Sequence, residues 1–312
     1  LVGIHSDWIS WTLLPTPRSM SSVAYLTCAG LLPKAPRRMA DAWEHDLQIS
    51  ALRVACAEHR IELHDVAWND PDLDVAAFDA FLIGTTWDYT DVPGAFLGRL
   101  ASIAMARPLF NDIDAVRWNL DKSYLRDLGD AGVPVVPTLF EASADDATIE
   151  RSFDALGTDQ VVIKPEVGAG AWRQVKLQRG DVIPDASERP PDRTLIQPYL
   201  PSITTEGEYS FVFCGGTFSH CARKRPAQGD YRSQAMYGAN EEVHGATDAE
   251  IDLARKAIDA APAALLHARV DMVRDRNGRL VLMELEIIEP YLYPEQGPEL
   301  GRHFADALAA RL

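Results

Sequence analysis

The stretch RVDMVRDRNGRLVLMELEIIEP, residues 269–290, constrains this chain more than any other. Two runs of alternating apolar and polar residues flank Asn277-Gly278, a dipeptide suited to a type I′ turn because both of its positions take positive φ. An antiparallel hairpin of 268–275 and 279–288 is expected, with Asp271 opposite Glu284 and Arg269 opposite Glu286. Strand side chains alternate, so these four share one face, and Met283, Leu285 and Ile287 share the other. Opposed carboxylates lie about 5 Å apart at Cβ and repel unless positive charge intervenes. A divalent cation would resolve the conflict, and hard oxygen ligands suit Mg2+ completed by water and phosphates. The other reading is a charged face turned to water; the hairpin alone does not choose.

Upstream, SVAYLTC (22–28), the helical spacing of 42–59, IELHDVAW (61–68), FDAFLIGTTW (78–87) and a helix around 93–105 alternate strand and helix. That pattern predicts an α/β layer with a mostly parallel sheet over residues 20 to about 115. Two helices near 112–119 and 121–131 end at Gly132 and Pro134. Short strands then dominate: 135–140, 160–165, 173–178, 194–200, 208–216 and 217–225. Gly215-Gly216 marks a two-residue hairpin. A helix at 248–265, the hairpin and a helix at 298–311 complete the chain. Residues 1–19 lack a basic n-region and a long apolar core and read as a leader or extension, with Met20 opening the folded part.

With 312 residues, 47% of them hydrophobic, the chain is long enough for two or three compact domains. Its formal charge of −16 argues against nucleic-acid or anionic-membrane binding and leaves room for one local anion site. Cys28, Cys56, Cys214 and Cys221 form no C-x-x-C pair, so a reducing cytoplasm is the expected home. No apolar run approaches the roughly 20 residues that span a bilayer.

Lys164 ends the apolar strand VVIKP and is followed by Gly168, Ala169 and Gly170, a loop whose N–H groups suit a phosphate. Neither a P-loop nor a dinucleotide fingerprint is present, and the glycines taken alone read more readily as turn residues. Lys122 opens a helix. Arg223, Lys224, Arg225 and Arg232 gather positive charge in HCARKRPAQGDYRSQAMYG (220–238). A basic patch beside a carboxylate pair is what phosphoryl transfer needs.

Taken in order, Lys122, VVIKP with its glycine loop, LIQPYL, GEYSFVF, GDYRSQAMYG, RVD and MELE resemble the ATP-grasp superfamily, in its branch with glutathione synthetase-like ATP-binding domains. WNDPDLDVAAFDAFLIGTTWDY and RWNLDKSYLRDLGDAGVPVVPT are similar to the subgroup holding the cyclo-ligase that closes O-ureidoserine to cycloserine. The resemblance implies an α/β chain, α+β in its ATP-binding part: a pre-ATP-grasp domain at 20–115, a lid subdomain at 116–198 and a catalytic subdomain at 199–312. It further implies that Lys122, Lys164 and Lys224 meet nucleotide phosphates beneath the loop of Gly168, Ala169 and Gly170. Gln197, Tyr199 and Leu200 would hold adenine, and Glu208 the ribose. Asp271, Glu284 and Glu286 would bind Mg2+, as two ions for which Mn2+ substitutes. Arg269 would steady the reacting acyl centre, and Arg232 a phosphate or carboxylate. Gln234 and Glu286 depart from the common Asn at both places, which leaves the metal geometry open.

Substrate choice is expected from TTWDYT, where Thr86, Trp87, Asp88 and Tyr89 follow an apolar strand at the edge where α/β sheets bind ligands. The two aromatics read equally as packing residues. The leading expectation is an ADP-forming carboxylate–amine or intramolecular ligase on an amino acid or small peptide-like substrate, with a homo-oligomer compatible. A small-molecule kinase and a nucleotide-binding module without turnover are the alternatives.

Overall fold

The computed structural model describes residues 20–168, 170–233 and 237–312. Residues 1–19, 169 and 234–236, Ala169 and Gln234 among them, lie outside the described residues.

The N-terminal part alternates as its apolar periodicity requires: β1 (Ser21–Thr27), α1 (Ala42–Glu58), β2 (Ile61–Ala67), β3 (Ala80–Ile83), α2 (Pro93–Ala106) and β4 (Leu109–Phe110). The strands form a parallel sheet in the order β2-β1-β3-β4. Val23 to Thr27 and all of β3 are buried, as in parallel strands covered on both faces. Helix α1 turns Ile49, Leu52 and Cys56 inward, towards Phe304 and Leu308 near the C-terminus.

Two helices cross to the rest of the chain. Asp112 caps α3 (Ile113–Leu120) by accepting from the amides of Asp114 and Ala115. Helix α4 (Tyr124–Asp130) stops at Gly132, whose φ of +85° a side chain rarely adopts. A second sheet, antiparallel in the order β5-β8-β6-β7, comprises β5 (Leu139–Glu141), β6 (Gln160–Pro165), β7 (Val175–Gln178) and β8 (Thr194–Pro198), with α5 (Asp146–Ala155) packed on it. The strand expected at 135–140 shrinks to β5. Pro134 and Pro137 have no N–H to donate, and Val135 makes only an isolated parallel bridge to Leu282.

After the short α6 (Ser202–Thr205), a five-stranded antiparallel sheet runs β11-β10-β9-β12-β13. Its strands are β9 (Glu208–Cys214), β10 (Thr217–Arg225), β11 (Asn240–Val243), β12 (His267–Arg274) and β13 (Leu280–Glu286). Gly215 and Gly216, at φ +57° and +78°, make the expected two-residue turn between Cys214 and Thr217. Helix α7 (Asp248–Asp259), closed at its start by a Thr247–Glu250 capping box, ends short of the expected 265 because Pro262 follows. Helix α8 (Leu300–Ala309) returns to pack on α1.

The β12–β13 hairpin departs from expectation at its tip. Only Gly278 has positive φ, +76°, and Asp275 closes the loop by bonding Gly278 and Arg279. The loop is therefore of the three-residue kind and sets Arg274 against Leu280. A bulge at Met283 then corrects the register, because Met272 pairs with Leu282 while Asp271 pairs with Glu284. Both expected pairs form, Asp271 with Glu284 and Arg269 with Glu286. Met283, however, does not join Leu285 and Ile287. The bulge reverses the alternation, so Leu282 and Leu285 both face the core while Met283, Glu284 and Glu286 all face one cavity.

Candidate active site

That cavity, of about 350 Å3, is lined from all three sheets: β6 and β8 on one side, β10, β12 and β13 on another, and the segments after β1 and β3 at its far end. Its first end is apolar, formed by Val136, Leu200, Val273 and Met283. Gln197, buried on β8, donates to the Thr138 hydroxyl at 3.0 Å, and the Lys176 ammonium lies 3.5 Å from the centre of the Tyr199 ring.

The floor is densely charged. Lys122 reaches Glu284 at 3.1 Å. Burial would lower its ammonium, but Glu284 together with Glu289 and Glu286 raises it. Lys164, on β6, lines the same cavity, and no ion pair to a carboxylate is found for it among the described residues. Burial depresses its ammonium, with Glu284 only partly offsetting the loss. Gly168 and Gly170 continue from it along the wall. A Cβ on Gly168 would meet the Pro165 ring at 3.0 Å, and Gly170 sits at φ +61°.

Asp271 accepts from Ser210 at 2.6 Å, from Arg269 at 3.0 Å and from Lys224 at 3.4 Å. Burial would raise its carboxyl, yet Arg269 and then Lys224 hold it well below the usual range. Arg269 also pairs with Glu286 and donates to the Tyr291 carbonyl at 3.0 Å. Burial pushes Glu286 up to about 8 in spite of that pair. Glu208 is buried against Lys224 and Ser233, and burial raises it too.

Among the described residues, no three His, Cys, Asp or Glu side chains stand together at metal-binding spacing. As placed, Asp271 and Glu286 turn to Arg269, and Glu284 to Lys122. The donor chemistry nevertheless fits Mg2+: two directly opposed carboxylates, oxygen donors only, beside lysines suited to phosphate oxygens.

The far end holds residues that sequence reasoning missed. Glu44 of α1, Glu241 of β11 and Glu289 line it beside Trp87, Tyr291 and Tyr293. Burial, then Glu241 and Asp41, push Glu44 up to about 7, and burial does the same for Glu289. Of the expected substrate residues, Trp87 lines the cavity and donates to the Glu289 carbonyl at 3.0 Å. The other three stand behind the wall. Thr86 is fully buried, Asp88 accepts from Trp68 at 2.7 Å, and Tyr89 packs on Phe96. Thr90 faces the cavity in their place. Arg232 lies at the rim, bound to Asp230 at 2.7 Å and stacked on Tyr237. A helical period does not distinguish Glu44 from surface carboxylates. Glu289, three residues past the end of the last strand, carried a positional signal.

Comparison with known proteins points the same way. A domain family described as the N-terminal domain of D-cycloserine synthetase DcsG matches residues 23–111. The chain is 29% identical over 293 residues to the cycloserine biosynthesis protein DcsG of Streptomyces lavendulae, covering 86% of this chain and 94% of that protein. The crystal structure of D-cycloserine synthetase DcsG superposes with a TM-score of 0.81 at 26% identity, covering 93% of this chain and 99% of that one. D-alanine–D-alanine ligase from Bacillus anthracis complexed with ATP gives 0.63 at 17% identity over 93% of this chain and 98% of the other, a likeness of fold. Among the described residues no helix is long and apolar enough to cross a membrane.

Proposed function

We propose that this chain works as an ATP-grasp ligase, like the proteins it is similar to, and activates the carboxylate of an amino acid or small peptide-like substrate as an acyl phosphate, which an amine-type nitrogen then attacks. The observation that carries the reading is the cavity face of one hairpin, where Asp271 opposes Glu284 and Arg269 opposes Glu286. Residues 20–115 are read as the substrate-side part, 116–198 as the lid and 199–312 as the catalytic part.

The apolar end, with Gln197, Tyr199 and Leu200, takes the adenine of ATP, and Glu208 lies towards its ribose. Lys122, Lys164 and Lys224 meet phosphate oxygens, where their charge offsets that of the transferred group. Asp271, Glu284 and Glu286 would hold Mg2+, which would supply further neutralisation of charge on phosphate oxygens. The substrate carboxylate forms a bond to the γ-phosphorus as the bond to ADP breaks. The nitrogen then bonds the acyl carbon and gives up a proton to solvent, and the carbon–oxygen bond to the phosphate breaks to release inorganic phosphate. Arg269 donates to the oxygen that becomes negative at that carbon.

The far end supports a substrate bearing an ammonium group. Glu44, Glu241 and Glu289 have no ion-pair partner there among the described residues, and Trp87 and Tyr291 offer aromatic faces that attract cations. The similarity to the cycloserine proteins makes O-ureidoserine, closed on itself, the first substrate to try.

The deciding experiment measures ADP and phosphate release with Mg-ATP and pools of amino acids, short peptides and O-ureidoserine, with products read by mass. Equal ADP and phosphate with a condensed or cyclised product is the expected result. ADP with a phosphorylated product and no free phosphate would replace the ligase reading with a kinase.

A further inference from the structure

The outer edge of β13 and the chain beyond it raise an accounting problem that the reaction does not explain. From Leu285, near the end of this edge strand, to Leu292 past it, backbone polar groups without a strand partner are buried and must be satisfied. Side chains meet that need. The Leu285 amide donates to the Tyr124 hydroxyl at 3.0 Å, and Asn119 donates to the Leu285 carbonyl at 2.8 Å. Asn111 donates to the Ile287 carbonyl at 2.8 Å, and Trp87 to that of Glu289 at 3.0 Å.

The last of these side chains is Gln48, 1% exposed, on the inward face of α1 next to Ile49 and Leu52. A glutamine in such apolar surroundings is costly unless both ends of its amide are bonded. Here they are. Its Nε2 donates to the Tyr25 hydroxyl at 2.7 Å and to the Pro290 carbonyl at 3.3 Å, and its Oε1 accepts the Leu292 amide at 2.6 Å. The two backbone contacts bracket Tyr291, whose carbonyl accepts from Arg269 at 3.0 Å. Tyr293, held at φ +50°, packs its ring 5.4 Å from the Arg269 guanidinium.

We infer that Gln48 is a positioning residue for Arg269: it fixes the 290–292 backbone, which orients the guanidinium through the Tyr291 carbonyl. The kinetic consequence rests on the proposed role of Arg269, whereas the placement does not.

The test follows the Arg269 side-chain Nε–H signal by nitrogen-15 NMR, assigned by its loss in Arg269→Lys. In Gln48→Met, which keeps the volume and removes the amide, that signal is expected to shift and exchange faster with water. Affinity for Mg-ADP should stay within about twofold, and kcat with Mg-ATP and O-ureidoserine should fall about tenfold or more, the size of one lost buried hydrogen bond. An unmoved Arg269 signal in folded Gln48→Met overturns the inference. A moved signal with unchanged turnover keeps the inference and removes Arg269 from the chemistry. Should Gln48→Met not fold, hydrogen exchange on the parent chain decides. The Leu292 amide, outside every helix and strand, is expected to be protected, and exchange at the rate of an exposed loop amide overturns the bridge.

Discussion

Asp271 and Glu284 stand directly opposite each other across β12 and β13, yet each turns to a different cation, Asp271 to Arg269 and Lys224 and Glu284 to Lys122. Two like charges in this register would repel, and the three cations remove that cost. Glu284→Gln keeps the shape and withdraws one charge. Mg2+-dependent ADP release is expected to fall about 100-fold, as for loss of a metal-bound charge, while the thermal midpoint moves by only a few degrees. An unchanged rate at saturating Mg-ATP would mean that the acidic face does not serve the reaction.

Lys164 offers a prediction with opposite signs for stability and binding. Its ammonium is depressed by burial and is incompletely compensated by Glu284. Removing such a charge relieves desolvation, so Lys164→Met should be as stable as the parent or more so. The KM for ATP should rise about tenfold, roughly 1.4 kcal/mol. A variant that unfolds more easily, with ATP affinity intact, would show that Lys164 supports the fold and not the nucleotide.

Arg269 makes a fork that lysine cannot copy, to Asp271, Glu286 and the Tyr291 carbonyl. Arg269→Lys keeps the charge and loses the geometry. The expected result is a fall in kcat of about 100-fold or more with little change in ATP affinity, as for loss of a donor aimed at a developing oxyanion. A proportional loss of ATP affinity would assign the residue to nucleotide binding.

Much of this was legible before any coordinates, and the hairpin shows both why and how far. The Asp271–Glu284 register follows from where the turn falls, and it came out as expected for a partly different reason: a longer loop and a bulge at Met283 cancel. A bulge has no short-range sequence signature here, so the side taken by Met283 was unreadable, and with it the apolar end of the cavity. Glu44, Glu241 and Gln48 were invisible for a related cause. Each sits in an ordinary helix or edge-strand pattern and gains its importance from a surface brought to it by distant chain. Asp88 and Tyr89, by contrast, had the right strand end, but their side chains turn to Trp68 and Phe96.

Glu44 ties the far end of the cavity to pH. Burial, then Glu241 and Asp41, raise its carboxyl to about 7, against a lowering by Arg269 and Lys224. Below the unfolded-state value of about 4.3 both states are protonated and its contribution is complete. As pH rises towards 7 the folded chain keeps a proton that the unfolded chain has lost, so stability falls. Glu44→Gln lacks that slope, and its stability relative to the parent should grow by about 3 kcal/mol across this window. Substrate binding should run the other way. If ionised Glu44 holds an ammonium group, the parent's KM for an amine-bearing substrate falls as pH passes through 7, while the Gln variant stays flat and weaker. Urea unfolding and substrate KM, both followed across that range, check the two halves separately. A parent KM that is flat in pH would place the substrate's positive charge elsewhere in the cavity.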